Sequence, residues 1–230
     1  MSRLLAGLAL VVAVASLADD KPPADQKERL SKLQSLVGSW RGVGQPQRGS
    51  TKDAWTEEAD WAWSFDKAGA SLVAKLPKAK YFSQLRLTAG STEGHFSLAA
   101  SPMAGGEPVV YSGKLDEQGQ LILTADQPRD GIPGRLSFRF AAAGDRLLVL
   151  LEKQGSTSDQ FARLAEVGYT RQGSGFGKNV AQRECIVTGG LGTIEVTHNG
   201  KSYYVCCTGC RDYFNENPDK VLAELAARKK

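Results

Sequence analysis

The chain holds four cysteines, and "YYVCCTGC" (203–210) carries three of them, Cys206, Cys207 and Cys210. The fourth, Cys185, stands twenty intervening residues upstream of Cys206. Thiolates are soft donors suited to Zn(II) and Cu(I), and several of them converging give trigonal or tetrahedral coordination. The three-residue gap from Cys206 to Cys210 puts two thiols one turn apart on one face of a helix start, and the two-residue gap from Cys207 to Cys210 is the spacing of metal knuckles. The same residues are compatible with other chemistries. A disulfide from Cys185 to Cys206 or Cys210 would staple a small unit, whereas adjacent Cys206 and Cys207 are poor partners because a vicinal ring is strained. "CTGC" also has a C-x-x-C redox spacing, but no βαβ pattern surrounds it, as thioredoxin-like catalysis requires.

The elements that must position these thiols are short and readable. "TIEVT" and "KSYYV" flank "HNG", so Asn199 and Gly200 predict a tight hairpin turn. "RDYFNENP" then reads as a helical stretch that Pro218 interrupts before a second helix, "DKVLAELAARKK". Cys185 lies just before the hairpin, so the fold can return it to the other thiols. A helix N-terminus beside Cys206 favours thiolates, and Lys201, Arg183 and Arg211 are the basic residues at hand to moderate their charge. Cys207 is the first candidate for a fourth ligand, His198 at the hairpin turn the next, and an open position suits a carrier.

This region resembles the YHS/TRASH family of small treble-clef-like metal-binding domains. The resemblance rests on "CIVTG", "GKSYYVCCTGC" and "FNENP" in that order, over about 40 residues. It implies that Cys185, Cys206 and Cys210 are the metal ligands, holding a heavy-metal ion such as Zn or Cu. Ile186 departs from the pattern, standing where the family usually has proline.

Upstream, the period changes. "KERLSKLQSLVG" places Leu30, Leu33, Leu36 and Val37 at helical spacing and predicts a short amphipathic helix ending at Gly38. From there to about Arg171 the chain reads as strands, among them "EADWAWSFD", "QLILTAD", "RLSFRFAAA" and "DRLLVLLEKQ", punctuated by "DKAG", "AGSTEG", "DEQGQ" and "AAGD". About ten strands with short connections predict an up-and-down antiparallel β-barrel, which hides its edges by closing. The expected layout is a leader and helix to residue 38, a barrel over 39–172, a glycine-rich linker over 173–179 and an α+β cysteine unit of hairpin and two helices over 180–230.

A helix leading into "GSW" and a last strand with Tyr169 and Arg171 resembles the lipocalin-like barrels of the calycin group. That resemblance implies that Trp40 plugs the barrel bottom with Arg171 packed across it. Trp55, Trp61, Trp63 and Phe65 are candidates to line a cavity for a small apolar ligand, against the plainer reading of a solid core. His95, the only histidine of the barrel, reads as a surface residue. Glu57, Glu58 and Asp60 cluster at a strand start and read as a solvated edge.

At 230 residues, with 41% hydrophobic and 23% charged residues, the composition is that of a globular protein with room for one good core and a small second unit. The net charge of +4 is spread among nearly balanced acids and bases, so no basic stripe invites nucleic acid. "MSRLLAGLALVVAVASLADD" has the charge, apolar run and small residues of a secretory signal over 1–18, too short to span a bilayer. It is the only segment expected to meet a membrane, and then only if uncleaved. The chain is therefore expected in a periplasmic or extracellular space, where disulfides persist. No Gly-x-Ser-x-Gly, His-Glu-x-x-His or phosphate-cradling loop is present, and no enzymatic turnover is expected. The reading is an exported heavy-metal sensor, carrier or buffer. The alternatives are a ligand-binding barrel with a disulfide-stapled docking module, or a thiol oxidoreductase.

Overall fold

A computed structural model of the chain describes residues 26–155, 157, 160–173 and 183–228. The signal segment and all of the linker but Gly173 fall outside them. Ten antiparallel strands, β1 (Gly38–Gln45), β2 (Trp55–Asp66), β3 (Gly69–Lys75), β4 (Phe82–Ala89), β5 (His95–Pro102), β6 (Val109–Leu115), β7 (Leu121–Ala125), β8 (Arg135–Ala141), β9 (Arg146–Gln154) and β10 (Phe161–Arg171), close into a barrel in sequence order. Closure comes from β1, which pairs with β2 on one side and β10 on the other, aligning Trp40 with Ala59 and Arg171. Alternation explains the wall. In β2 the side chains of Glu57, Ala59, Trp61 and Trp63 are buried while Thr56 and Asp60 are exposed, the period-two pattern of a strand with one face to a core.

The turn motifs "DKAG", "AGSTEG", "DEQGQ" and "AAGD" all fall at one end of the barrel, between β2 and β3, β4 and β5, β6 and β7, and β8 and β9. That end is closed. Leu30, Leu33, Leu36 and Val37 are buried there, beside Trp40, whose indole N–H donates to Leu36 O at 2.7 Å. The Arg171 guanidinium carbon stands 4.2 Å from the Trp40 ring centroid, and its nitrogens donate to Val37 O (2.7 Å) and Ser35 O (2.6 Å). The expected continuous helix is shorter: α1 (Gln26–Ser31) gives way to a turn and a 3₁₀ segment at Gln34–Leu36. Leu33 N–H bonds to Leu30 O and Leu36 N–H to Leu33 O, three residues back, which tightens the chain so that all three leucines turn inward.

The aromatic residues of β2 do not surround one cavity. A strand of twelve residues runs the length of the barrel, and at roughly 3.3 Å per residue its ends stand far apart. Trp61 lines an internal cavity of about 40 Å³, towards the end formed by loop 76–81. Trp55 packs edge-on against Tyr81 of that loop, 6.1 Å between centroids, while Trp63 and Phe65 lie near the closed end, their rings stacked at 5.8 Å. The acidic cluster is divided too: Asp60 is exposed and Glu58 half-buried, but Glu57 is 5% exposed and faces the cavity. Alternation along the strand takes it inside whatever its charge.

Beyond the barrel come a hairpin, β11 (Ile194–His198) and β12 (Lys201–Val205), and two helices, α2 (Thr208–Glu216) and α3 (Pro218–Arg228). Asn199 and Gly200 both have positive φ, 50° and 73°, as the tight turn between paired His198 and Lys201 demands. This unit packs at the closed end, where Lys27 of α1 bonds Glu224 of α3 at 3.0 Å.

Candidate metal centre

Local backbone chemistry brings the thiols together. Residues 185–190, "CIVTGG", fold back on themselves: Cys185 N–H donates to Gly190 O at 2.6 Å, and Gly189 N–H to Cys185 O at 2.8 Å. Gly189 takes φ +77°, a conformation that suits glycine. The loop is tied to β12 by Ile186 N–H, which donates to Tyr204 O at 2.9 Å. A proline here would have no N–H to give, so Ile186 supplies a tie that proline could not. On the other side, β12 ends at Val205, Cys206 follows, and extended Cys207 (φ −160°, ψ 171°) caps α2.

The sulfurs of Cys185, Cys206 and Cys210 lie within 4.8 Å of one another, all three residues buried. Cys206 Sγ is 3.5 Å from Cys210 Sγ and 3.6 Å from Thr188 Oγ1. All four cysteines are free thiols. The donor set is a dense cluster of soft sulfur atoms at a helix N-terminus, and it fits a thiophilic ion.

Proton sharing points the same way. Thiol donation from Cys206 and then Cys210 pulls the Cys185 pKa down to about 2, and the same two donors pull Cys207 down to about 3. Cys206 and Cys210 are pushed up, first because they lose the hydrogen bond they give Cys185 on ionising; Cys207 and burial raise both further, while Cys210 pulls Cys206 partly back down. The cluster thus releases some protons readily and retains others, since several thiolates in contact repel one another unless a cation offsets their charge. Cationic help comes from a residue assigned only to the barrel plug: burial lowers the Arg171 pKa, while Asp145 and then Cys206 raise it. Arg171 and Arg183 both line, among the described residues, a polar groove of about 340 Å³ that reaches Cys206. Arg211 instead bonds its neighbour Asp212 at 2.9 Å, and Lys201 is exposed at the hairpin.

The two candidate fourth ligands differ in their relation to this group. Cys207 Sγ is 3.9 Å from Cys206 Sγ, in hydrogen-bond contact with it, and also accepts the backbone N–H of Trp63, 3.4 Å away on β2. This contact exists because β1 begins at Gly38, opposite Trp61, leaving β2 beyond that point without a strand neighbour on the β1 side. The first turn of α2 covers the open edge. A Cβ on Gly209 would fall 1.7 Å from Trp63 O, so only glycine permits this approach. Tyr213 of α2 completes the contact, its ring centroid 4.4 Å from that of Phe65. His198 is not brought to the sulfurs: its Nε2 meets Asn199 Nδ2 at 3.1 Å, and its ring meets Phe214 edge-on. His95 is exposed, with Nδ1 3.2 Å from Glu93 O.

Sequence reasoning singled out neither Thr188 nor Gly209 as site residues, although both stand inside the quoted motifs. The gap in β1 pairing that gives Cys207 its partner has no local signature. The chain matches no protein-family model. No curated protein matches it either.

Proposed function

We propose that this chain is a heavy-metal-binding protein without enzymatic turnover, which holds one soft ion, Zn(II) or Cu(I), through Cys185, Cys206 and Cys210 for sensing, carriage or buffering. The observation that carries the reading is the convergence of three buried, unbridged sulfurs within 4.8 Å. Bound there, the ion would supply the positive charge that lets all three thiols ionise together. The groove at Cys206, with Arg171 and Arg183 on its walls, supports exchange of the ion with a partner over storage in a sealed core. The reading includes export by the N-terminal segment, a YHS/TRASH-like treble clef for the cysteine unit and calycin kinship for the barrel. Export also raises the stake on the cysteines, because a Cys206–Cys210 disulfide is the competing state at 3.5 Å.

Metal analysis of reduced protein tests the proposal. It predicts about one Zn or Cu per chain, lost in a Cys206→Ser/Cys210→Ser double variant that keeps its barrel by circular dichroism. Unchanged metal content in that variant would refute the site, and a chain that takes up no metal when reduced would refute the function.

A further inference from the structure

At the other end of β2, roughly 20 Å from Trp63 along the strand, the barrel holds a carboxylate that the metal reading does not use. Glu57 Oε2 accepts the Trp55 indole N–H at 2.5 Å, and Oε1 accepts the Tyr169 hydroxyl. Both donors are neutral, and among the described residues no ion pair reaches Glu57 within 4.0 Å. Its burial next to Tyr169 keeps that phenol protonated: burial first, then the charge and hydrogen bond of Glu57, hold its pKa well above the ordinary value.

The arrangement is built into β1. Gly42 pairs with Glu57 on one side and Tyr169 on the other, and Gly44 pairs with Trp55. A Cβ on Gly42 would fall 2.6 Å from the Tyr169 ring, and one on Gly44 would fall 2.2 Å from the Trp55 ring. Two missing side chains thus let residues from strands on either side of β1 meet over a buried charge. The space beside them is small. About 40 Å³ holds roughly three waters, too little for a fatty acid, a porphyrin or a quaternary ammonium, but enough for a small primary ammonium group. The rim already binds a cation, since exposed Lys80 sets Nζ 4.6 Å from the Trp55 ring centroid and 6.0 Å from that of Tyr81.

We propose that the barrel mouth is a site for an organic ammonium ion, whose charge meets the Glu57 carboxylate and the faces of Trp55 and Tyr81, displacing Lys80 from its place on the rim. A buried carboxylate that is hydrogen-bonded but has no counter-charge is costly, and a cation lodged against it and the ring faces is stabilised by both. The site is independent of the cysteines.

Methylammonium and its neutral isostere methanol, titrated into the full chain with tryptophan fluorescence and calorimetry as readouts, separate the outcomes. Methylammonium should bind at least about tenfold more tightly than the neutral isostere, and Glu57→Gln should remove most of that preference. Lys80→Ala, a surface change, should tighten methylammonium by emptying the rim. Equal binding of the two probes would show an apolar pocket and overturn the proposal. So would the absence of methylammonium binding to both the natural chain and Lys80→Ala. If Glu57→Gln folds and keeps the preference, the carboxylate is not the recognising group.

Discussion

The contact between the cysteine unit and the barrel depends on one hydrogen atom, the missing side chain of Gly209. Gly209→Ala puts a methyl group 1.7 Å from Trp63 O, where real contacts stay above 3.0 Å, so the first turn of α2 must retreat by more than about 1 Å. The retreat stretches the Cys207 Sγ to Trp63 N bond beyond its present 3.4 Å and separates Tyr213 from Phe65, now 4.4 Å apart between centroids. Losing a buried hydrogen bond removes about 1 kcal/mol and losing an aromatic pair about 1 kcal/mol more, so the unit should undock at an expense of about 2 kcal/mol. Urea unfolding followed by tryptophan fluorescence, with limited proteolysis in parallel, measures this. We expect a new early transition, cleavage between the barrel and the cysteine unit, and a barrel transition close to that of the natural chain. Metal uptake should survive, because Cys185, Cys206 and Cys210 all belong to the displaced unit. An unchanged midpoint and digestion pattern would refute the docking argument.

Further outcomes follow from the same geometry. Ile186→Pro removes the N–H that donates to Tyr204 O and should destabilise the cysteine unit by about 1 kcal/mol in a denaturant titration; equal or greater stability would mean that the tie is idle. Alkali should weaken the fold. Burial first, and then Glu57, raises Tyr81 and Tyr169 above their ordinary value of 10.0, and burial likewise raises Tyr111. A folded pKa above the unfolded one means that the native state keeps protons that the unfolded chain releases. That stability is complete below about pH 10 and is lost as the pH rises towards the folded values. Tyr111→Phe should make the decline shallower while losing about 1 kcal/mol at neutral pH with the hydroxyl bond to Pro133 O; an identical alkaline slope would contradict it.

Much of this architecture is local and therefore legible. Alternation in "EADWAWSFD", the four turn motifs and the Asn199–Gly200 hairpin each fix their own neighbourhood, and ten such strands have few ways to close. The cysteine cluster was legible for the same reason: spacing and a hairpin return Cys185 to Cys206 and Cys210. What stayed hidden depends on register between distant strands. Glu57 looked like a solvated edge because its inward face is set by pairing with Gly42, and its partner Tyr169 is more than a hundred residues away. Cys207 reads as a fourth ligand from its place beside Cys206 and Cys210, while its second contact, the backbone N–H of Trp63 left open because β1 starts at Gly38, has no signature in the sequence. The four aromatic residues of β2 read as one group in sequence, although the strand carries them to opposite ends of the barrel.

The central claim, that an ion sits among Cys185, Cys206 and Cys210 with Cys207 turned to the barrel, is tested most directly by X-ray absorption on the metal-loaded reduced chain. The account predicts a shell of three sulfurs at about 2.3 Å from a bound zinc, unchanged in Cys207→Ser. A shell of nitrogen and oxygen, or four sulfurs falling to three in Cys207→Ser, would contradict it.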